Sequence, residues 1–294
     1  LTGRNDAAST TAMIEHATLS QLRERYDTLY CDVWGVIRDG HRLLPDAIHA
    51  LQQFRQSGGR VCLVSNSPRR NESLGAMLSG MGLPGDAIDG IVTSGDAIYA
   101  QLAKRSPGKA LRIGPDFDDA LYADLELEFV DIETADFISC TGPDDYWDGK
   151  PEDYQAILER ALERKLDLVC ANPDIVVQAE DKLIFCAGAI ARLYRHMGGT
   201  SVVAGKPHAP IYKLAAQCLE QSGERPDLKN ILAVGDGPET DLEGATRAGI
   251  DALFIADGIL GSAGDARNFD IDAISSALKS YRVDARWAAP QLIW

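Results

Sequence analysis

Positive charge is what this sequence has too little of: 29 Lys and Arg stand against 44 Asp and Glu over 294 residues, a formal net charge of −15. A surface of that sign repels phosphodiester backbones and anionic lipid, so nucleic acid and membrane are not expected partners. If the substrate is itself an anion, the site must carry its own local cations. No apolar run approaches the ~20 residues of a membrane span. The opening Leu-Thr-Gly-Arg-Asn-Asp has no apolar core of a secretion signal. Cys-x-x-Cys is missing too. The six cysteines, at 31, 62, 140, 170, 186 and 218, lie mostly in strand-like apolar runs. That pattern suits reduced core residues of a cytoplasmic protein better than metal ligands or a disulfide frame. There are no repeats and no low-complexity tracts.

What is present centres on Thr28 to Val36, Thr-Leu-Tyr-Cys-Asp-Val-Trp-Gly-Val. Leu29, Tyr30 and Cys31 read as a short strand buried on both faces. Asp32 stands where that strand should end, and ligands of an open parallel α/β sheet bind beyond the carboxyl ends of its strands. Gly35 lets the backbone bend away. Taken alone, Asp32 could equally cap a turn.

Strand and helix signals then alternate. A short helix is expected over residues 17–26. Pro45 opens a helix that Gly58-Gly59 stop. Strands follow at 60–64 and 91–93, a helix around 74–81 lies between them, and Ser94 is placed to N-cap a helix over 95–103. The spacing predicts a doubly wound parallel sheet. Ser106-Pro107-Gly108 is the best linker candidate. Beyond it come strands at 111–114, 127–132 and 137–140, an amphipathic helix at 152–164, and strands at 167–171 and 183–186. Gly198-Gly199 is a second breakpoint, after which alternation resumes with a strand at 201–204, a helix at 210–221, a strand at 231–234, a helix at 241–248, a strand at 252–255 and a helix at 271–281. The expected organisation is a core made of residues 1–104 and 200–294, with an α/β cap, 105–199, inserted into it.

Three more clusters fall at strand ends: Ser65-Asn66, Gly205-Lys206-Pro207, and Gly235-Asp236 with Asp241. Each alone is weak, since a lysine after a strand is commonly a solvated charge and Gly-Asp-Gly a turn. Together they deliver a hydroxyl, an ammonium and two carboxylates to the rim that carries Asp32. Asp32 and Asp236 would be hard oxygen ligands for Mg²⁺, with Asp241 holding its waters. Ser65 would donate to a phosphoryl oxygen, and Lys206 would neutralise charge between nucleophile and phosphoryl group.

In this order, Asp-x-x-Gly-Val, Ser-Asn, Gly-Lys-Pro and Gly-Asp-x-x-x-x-Asp resemble the four motifs of the haloacid-dehalogenase-like superfamily. A cap of ~95 residues between the second and third motifs, together with Asn172-Pro173-Asp174, resembles its class IIA branch of pyridoxal phosphate, 4-nitrophenyl phosphate and sugar-phosphate phosphatases. The resemblance covers roughly residues 27–256. It implies a Rossmann-like core with a cap, a small phosphorylated metabolite as substrate, Asp32 as a nucleophile that becomes an aspartyl-phosphate, and the Val33 carbonyl in the Mg²⁺ shell. Cap residues Tyr146, Trp147 and Asn172 to Asp174, with Asn66 and Trp34 from the core, are candidates for substrate contact. Caps of that branch often pair, which leaves a homodimer open.

One position departs from the pattern. Where the family's phosphatases usually carry a second Asp, two residues after the nucleophile, this chain has Trp34, whose indole cannot shuttle a proton near neutral pH. Asp39, His41 and His208 are conceivable substitute acids. A phosphohydrolase that favours good leaving groups is the leading expectation. A phosphate-binding regulatory protein with negligible turnover is the alternative.

Overall fold

The computed structural model describes residues 14–40, 42–179, 182–221, 223–257 and 269–294. Its main sheet has seven strands in the order Glu15–His16, Trp287–Ala289, Asp251–Ile255, Ile231–Gly235, Thr28–Cys31, Arg60–Ser65 and Gly90–Thr93. Every pairing in it is parallel. Alternation within single strands decides which face each residue covers. Leu29 and Cys31 join one core with Leu51, Phe54, Leu74 and Leu78, while Tyr30 joins the opposite one with Ile98, Ile211 and Leu219. Helices Pro45–Gln56 and Asn71–Gly80 therefore cover one face, and Ser94–Ala103 and Ala209–Glu220 the other. This is the doubly wound sheet that the spacing predicts.

A second parallel sheet has five strands in the order Thr200–Val203, Asp167–Cys170, Phe137–Cys140, Gly108–Ile113 and Leu127–Phe129. It packs on helix Gln155–Arg164 through Leu158 and Ala161 and on helix Ala187–His196 through Ile190 and Tyr194. Helix Ser94–Ala103 lies between the two sheets: Ile98 and Leu102 share one core with Val92 of the main sheet and with Ala110, Phe137 and Val169 of the second. No helix among the described residues is long and apolar enough to cross a membrane.

The structure departs from the sequence reading in several places. Strand Thr200–Val203 pairs with Asp167–Cys170, so it belongs to the second sheet and the chain returns to the main unit only after Val203. Gly198-Gly199 close helix Ala187–His196 rather than the unit itself. That helix was not foreseen, nor was the antiparallel hairpin Val176–Ala179 with Lys182–Phe185. The N-cap of helix Ser94–Ala103 is Thr93, whose hydroxyl accepts from the Asp96 N–H at 3.0 Å, while Asp96 reaches back to the Thr93 N–H.

Candidate active site

Connections in the main sheet reverse direction between Thr28–Cys31 and Ile231–Gly235, and such a switch point opens a crevice at the carboxyl ends of the strands. Asp32 and Asp236 are the next residues along these two neighbouring strands. The Asp32 N–H donates to the Val234 carbonyl at 2.8 Å, which extends the pairing and fixes the start of the loop.

Two glycines make room for the carboxylates. Gly35 has φ +79°, and a Cβ there would sit 2.2 Å from Asp236 Oδ2. A Cβ on Gly235 would lie 2.1 Å from Asp241 Cγ. Gly35→Ala should cost about 1–3 kcal/mol through backbone strain alone and push Asp236 aside. Thermal denaturation checks the first effect, and a raised requirement for divalent cation the second.

Asp241 is held by the turn Pro238–Leu242, where its Oδ2 accepts from the Gly237 N–H at 3.1 Å. Lys206 arrives from the other unit, on the loop that follows strand Thr200–Val203. Its ammonium donates to Asp32 Oδ1 at 2.6 Å and to Asp241 Oδ1 at 2.8 Å. Asn66 clamps the Lys206 backbone, accepting from its N–H at 2.7 Å and donating to its carbonyl at 3.2 Å. The same Asn66 amide donates to Asp174 Oδ1 at 2.8 Å. Both ends of Asn66 are thus engaged by protein, and it serves as a strut of the site.

Asp32, Asp236 and Asp241 are buried and offer oxygens that all lie within 4.8 Å of one another. Burial pushes the Asp32 carboxyl up to about 7; Lys206 opposes this, and Asp241 and Asp174 add to it. Burial favours the neutral amine of Lys206, yet Asp241, Asp32 and Asp174 outweigh it and hold the ammonium protonated. The three carboxylates converge on one point, and the Lys206 ammonium touches two of them. Hard oxygen donors gathered this closely suit a divalent cation.

Two cavities flank Asp32. The first, of about 400 Å³, is lined by Asp32, Val33, Trp34, Ser65, Asn66 and Asn172, among others, and so brings most of the expected residues together. Tyr146 and Trp147 line it as well, in edge-to-face contact with each other. The second, of about 240 Å³, holds Asp236 and Asp241. Ser65 is buried, and its Oγ accepts from the Ser67 N–H at 3.2 Å. Asn172 Oδ1 accepts from the Asp174 N–H at 3.1 Å, shaping the loop that carries Asp174 to the cavity.

Val33 does not fit the expected role. Its carbonyl accepts from the N–H groups of Ile37 and Arg38, both at 3.1 Å, so its lone pairs are spent inside the loop. Trp34 lines both cavities, but its indole N–H donates to the Gln178 carbonyl at 2.6 Å, across to the hairpin. Of the conceivable substitute acids, Asp39 lines the second cavity and pairs with Arg42 at 3.6 Å. His208 caps helix Ala209–Glu220 and borders a different cavity, and His41 lies outside the described residues. Asp174, the last of the loop candidates Asn172 to Asp174, is the carboxylate whose closeness to Asp32 the sequence does not show. It lines both cavities with Asp32, and burial raises its pKa.

Comparison with known proteins agrees with this geometry. Residues 29–128 match the model of haloacid dehalogenase-like hydrolases, and residues 203–279 match a HAD-hydrolase-like model. D-glycerol 3-phosphate phosphatase of Mycobacterium tuberculosis is 26% identical over 257 residues, 84% of this chain and 67% of that protein. A p-nitrophenyl phosphatase from Archaeoglobus fulgidus, 22% identical, superposes with a TM-score of 0.69 over 90% of this chain and 96% of its own. A crystal structure of a haloacid dehalogenase-like hydrolase from Brucella suis gives 39% identity and a TM-score of 0.83, covering 94% of this chain and 99% of that one. Identity of that order over almost the whole length, with an ammonium shared by two of three clustered aspartates at the switch point, means that the chain belongs to the haloacid dehalogenase-like hydrolases and has the fold of their class IIA branch.

Proposed function

We propose that this protein is a Mg²⁺-dependent phosphohydrolase that acts on a small phosphorylated metabolite through an aspartyl-phosphate on Asp32. The observation that carries this reading is the Lys206 ammonium bonded to both Asp32 and Asp241 inside a three-carboxylate cluster. Asp32 attacks phosphorus, the ester P–O bond breaks, and the leaving oxygen departs with the bonding pair. Water then attacks the phosphorus of the acyl phosphate, releasing inorganic phosphate and restoring the carboxylate. Lys206, bonded to Asp32 Oδ1, would neutralise the charge that changes there in both steps, and Ser65, which lines the cavity, would donate to a phosphoryl oxygen. Asp32, Asp236 and Asp241 would hold the Mg²⁺, which supplies Lewis-acid neutralisation of the phosphoryl charge. The five-stranded unit, with its boundary moved from 199 to about Val203, is the cap that shapes specificity.

Release of phosphate from 4-nitrophenyl phosphate should require Mg²⁺ and vanish with EDTA. Binding should also show without turnover: Mg²⁺ at about 100 times its Kd should add about 2.7 kcal/mol to stability, visible as a raised melting temperature. Asp236→Asn should shift both responses to higher Mg²⁺. A melting shift with no phosphate released from any ester would favour the regulatory alternative, to which Trp34, committed to Gln178, lends its support.

A further inference from the structure

The first cavity contains a cation that the reaction on Asp32 does not use. Arg38 is 8% exposed and lines that cavity. Its guanidinium carbon sits 4.3 Å from the centroid of the Trp34 ring. Nη2 donates to the Gly40 carbonyl and Nη1 makes only a 3.7 Å contact with the Met77 thioether, while the buried Nε has no partner. No carboxylate pairs with Arg38 among the described residues. Asp39, the nearest in sequence, acts on Arg38 through space only and makes its ion pair, at 3.6 Å, with Arg42. Arg69, the other guanidinium of the cavity, lies near Asp118, whose pKa burial raises to about 6 and Arg69 partly pulls back. The nearby Tyr146 is a neutral phenol, its pKa raised by burial. A guanidinium cannot shed its proton, so a buried one calls for an anion.

We infer that Arg38 and Trp34 form a second anion subsite, and that the preferred substrate is a compact phosphomonoester bearing a carboxylate on the side away from the reacting phosphate. The inference rests on the phosphohydrolase reading for its substrate class, but not for the subsite itself. The guanidinium matches a carboxylate as a planar fork, and its stack on the indole fixes the direction in which it presents its N–H groups. A carboxylate reaching it would supply the direct ion pair that none of the described residues makes.

The test compares phenyl phosphate with 4-carboxyphenyl phosphate. The wild type should prefer the carboxylated ester by roughly 10–100-fold in kcat/KM, the value of a charge-assisted hydrogen bond to a buried partner. Arg38→Met keeps the aliphatic stem on Trp34 and should bring the ratio close to one, while Arg38→Lys should retain part of it. A non-reacting pair, benzylphosphonate and 4-carboxybenzylphosphonate, should show the same ranking in calorimetric titration. If Arg38→Met lowers both esters equally, Arg38 only props Trp34 and the inference fails. It also fails if the wild type binds both phosphonates alike. Preferential binding of the carboxylated phosphonate with no hydrolysis of either ester would keep the subsite and overturn the phosphohydrolase.

Discussion

Replacing Asp32 by Asn is expected to lower turnover of 4-nitrophenyl phosphate by at least about 10⁴-fold, the scale on which losing a nucleophile acts, while leaving the fold intact. An amide oxygen is a poor nucleophile toward phosphorus and a poor Mg²⁺ ligand, so both contributions of this side chain disappear together. The fold should survive because Asn has the same shape and its carbonyl can still accept from Lys206, which also keeps Asp241 at 2.8 Å. The charge balance points the same way. Burial pushes Asp32 toward its neutral form, and Asp241 and Asp174 add to the push. Without metal, the Asn variant should therefore melt no lower than the wild type. Phosphate release and a melting curve, each with EDTA and with Mg²⁺, give the two halves of the result. Near-full Mg²⁺-dependent activity in this variant would remove the assigned chemistry. Lost activity with a collapsed melting temperature would make Asp32 a structural residue instead.

The site was legible in sequence because its residues sit where physics puts ligands of a parallel sheet. Leu29-Tyr30-Cys31 can only be a strand covered on both faces, so Asp32 had to emerge at its end. Ser65 and Asp236 follow by the same logic. Lys206 reaches Asp32 and Asp241 from a strand of the second sheet, and nothing local to residues 200–203 tells which sheet a short strand joins. Partners distant in sequence were also hidden. The Trp34 to Gln178 bond spans 144 positions, and Asn66 to Asp174 spans 108. Helix Ala187–His196 was masked by Gly188 and by the small residues around it, which weaken a periodicity reading although Ile190 and Tyr194 do face the core. Val33 failed because the direction of a carbonyl is a property of the loop and not of the residue type.

With an aryl or acyl phosphate, the first turnover is expected to outrun the rest, giving a burst of leaving group that approaches one equivalent per site. The cause is Trp34. General acid–base catalysis is worth roughly 10²–10⁴-fold, and the indole that occupies the position donates its only N–H to the Gln178 carbonyl at 2.6 Å. It can neither protonate a leaving group nor deprotonate water. A good leaving group departs without a proton, so phosphorylation of Asp32 proceeds. On the proposed mechanism, hydrolysis of the aspartyl-phosphate should lack a base, become limiting and let the phosphoprotein accumulate, so that acid quench traps it on Asp32. Alkyl phosphates should suffer in the first step instead, so their rates should fall steeply as the leaving alcohol becomes more basic. Trp34→Asp should flatten that dependence and shrink the burst. It should also cost about 2 kcal/mol or more, because the bond to the hairpin and the face beneath Arg38 are lost together. A linear time course and a shallow leaving-group dependence in the wild type would mean that a proton carrier is already in place. Asp174 is the group to test then: it faces both cavities, its pKa is raised by burial, and the Asn66 amide fixes its direction. Asp174→Asn would then restore the burst, and that response would separate a displaced proton carrier from chemistry that begins elsewhere.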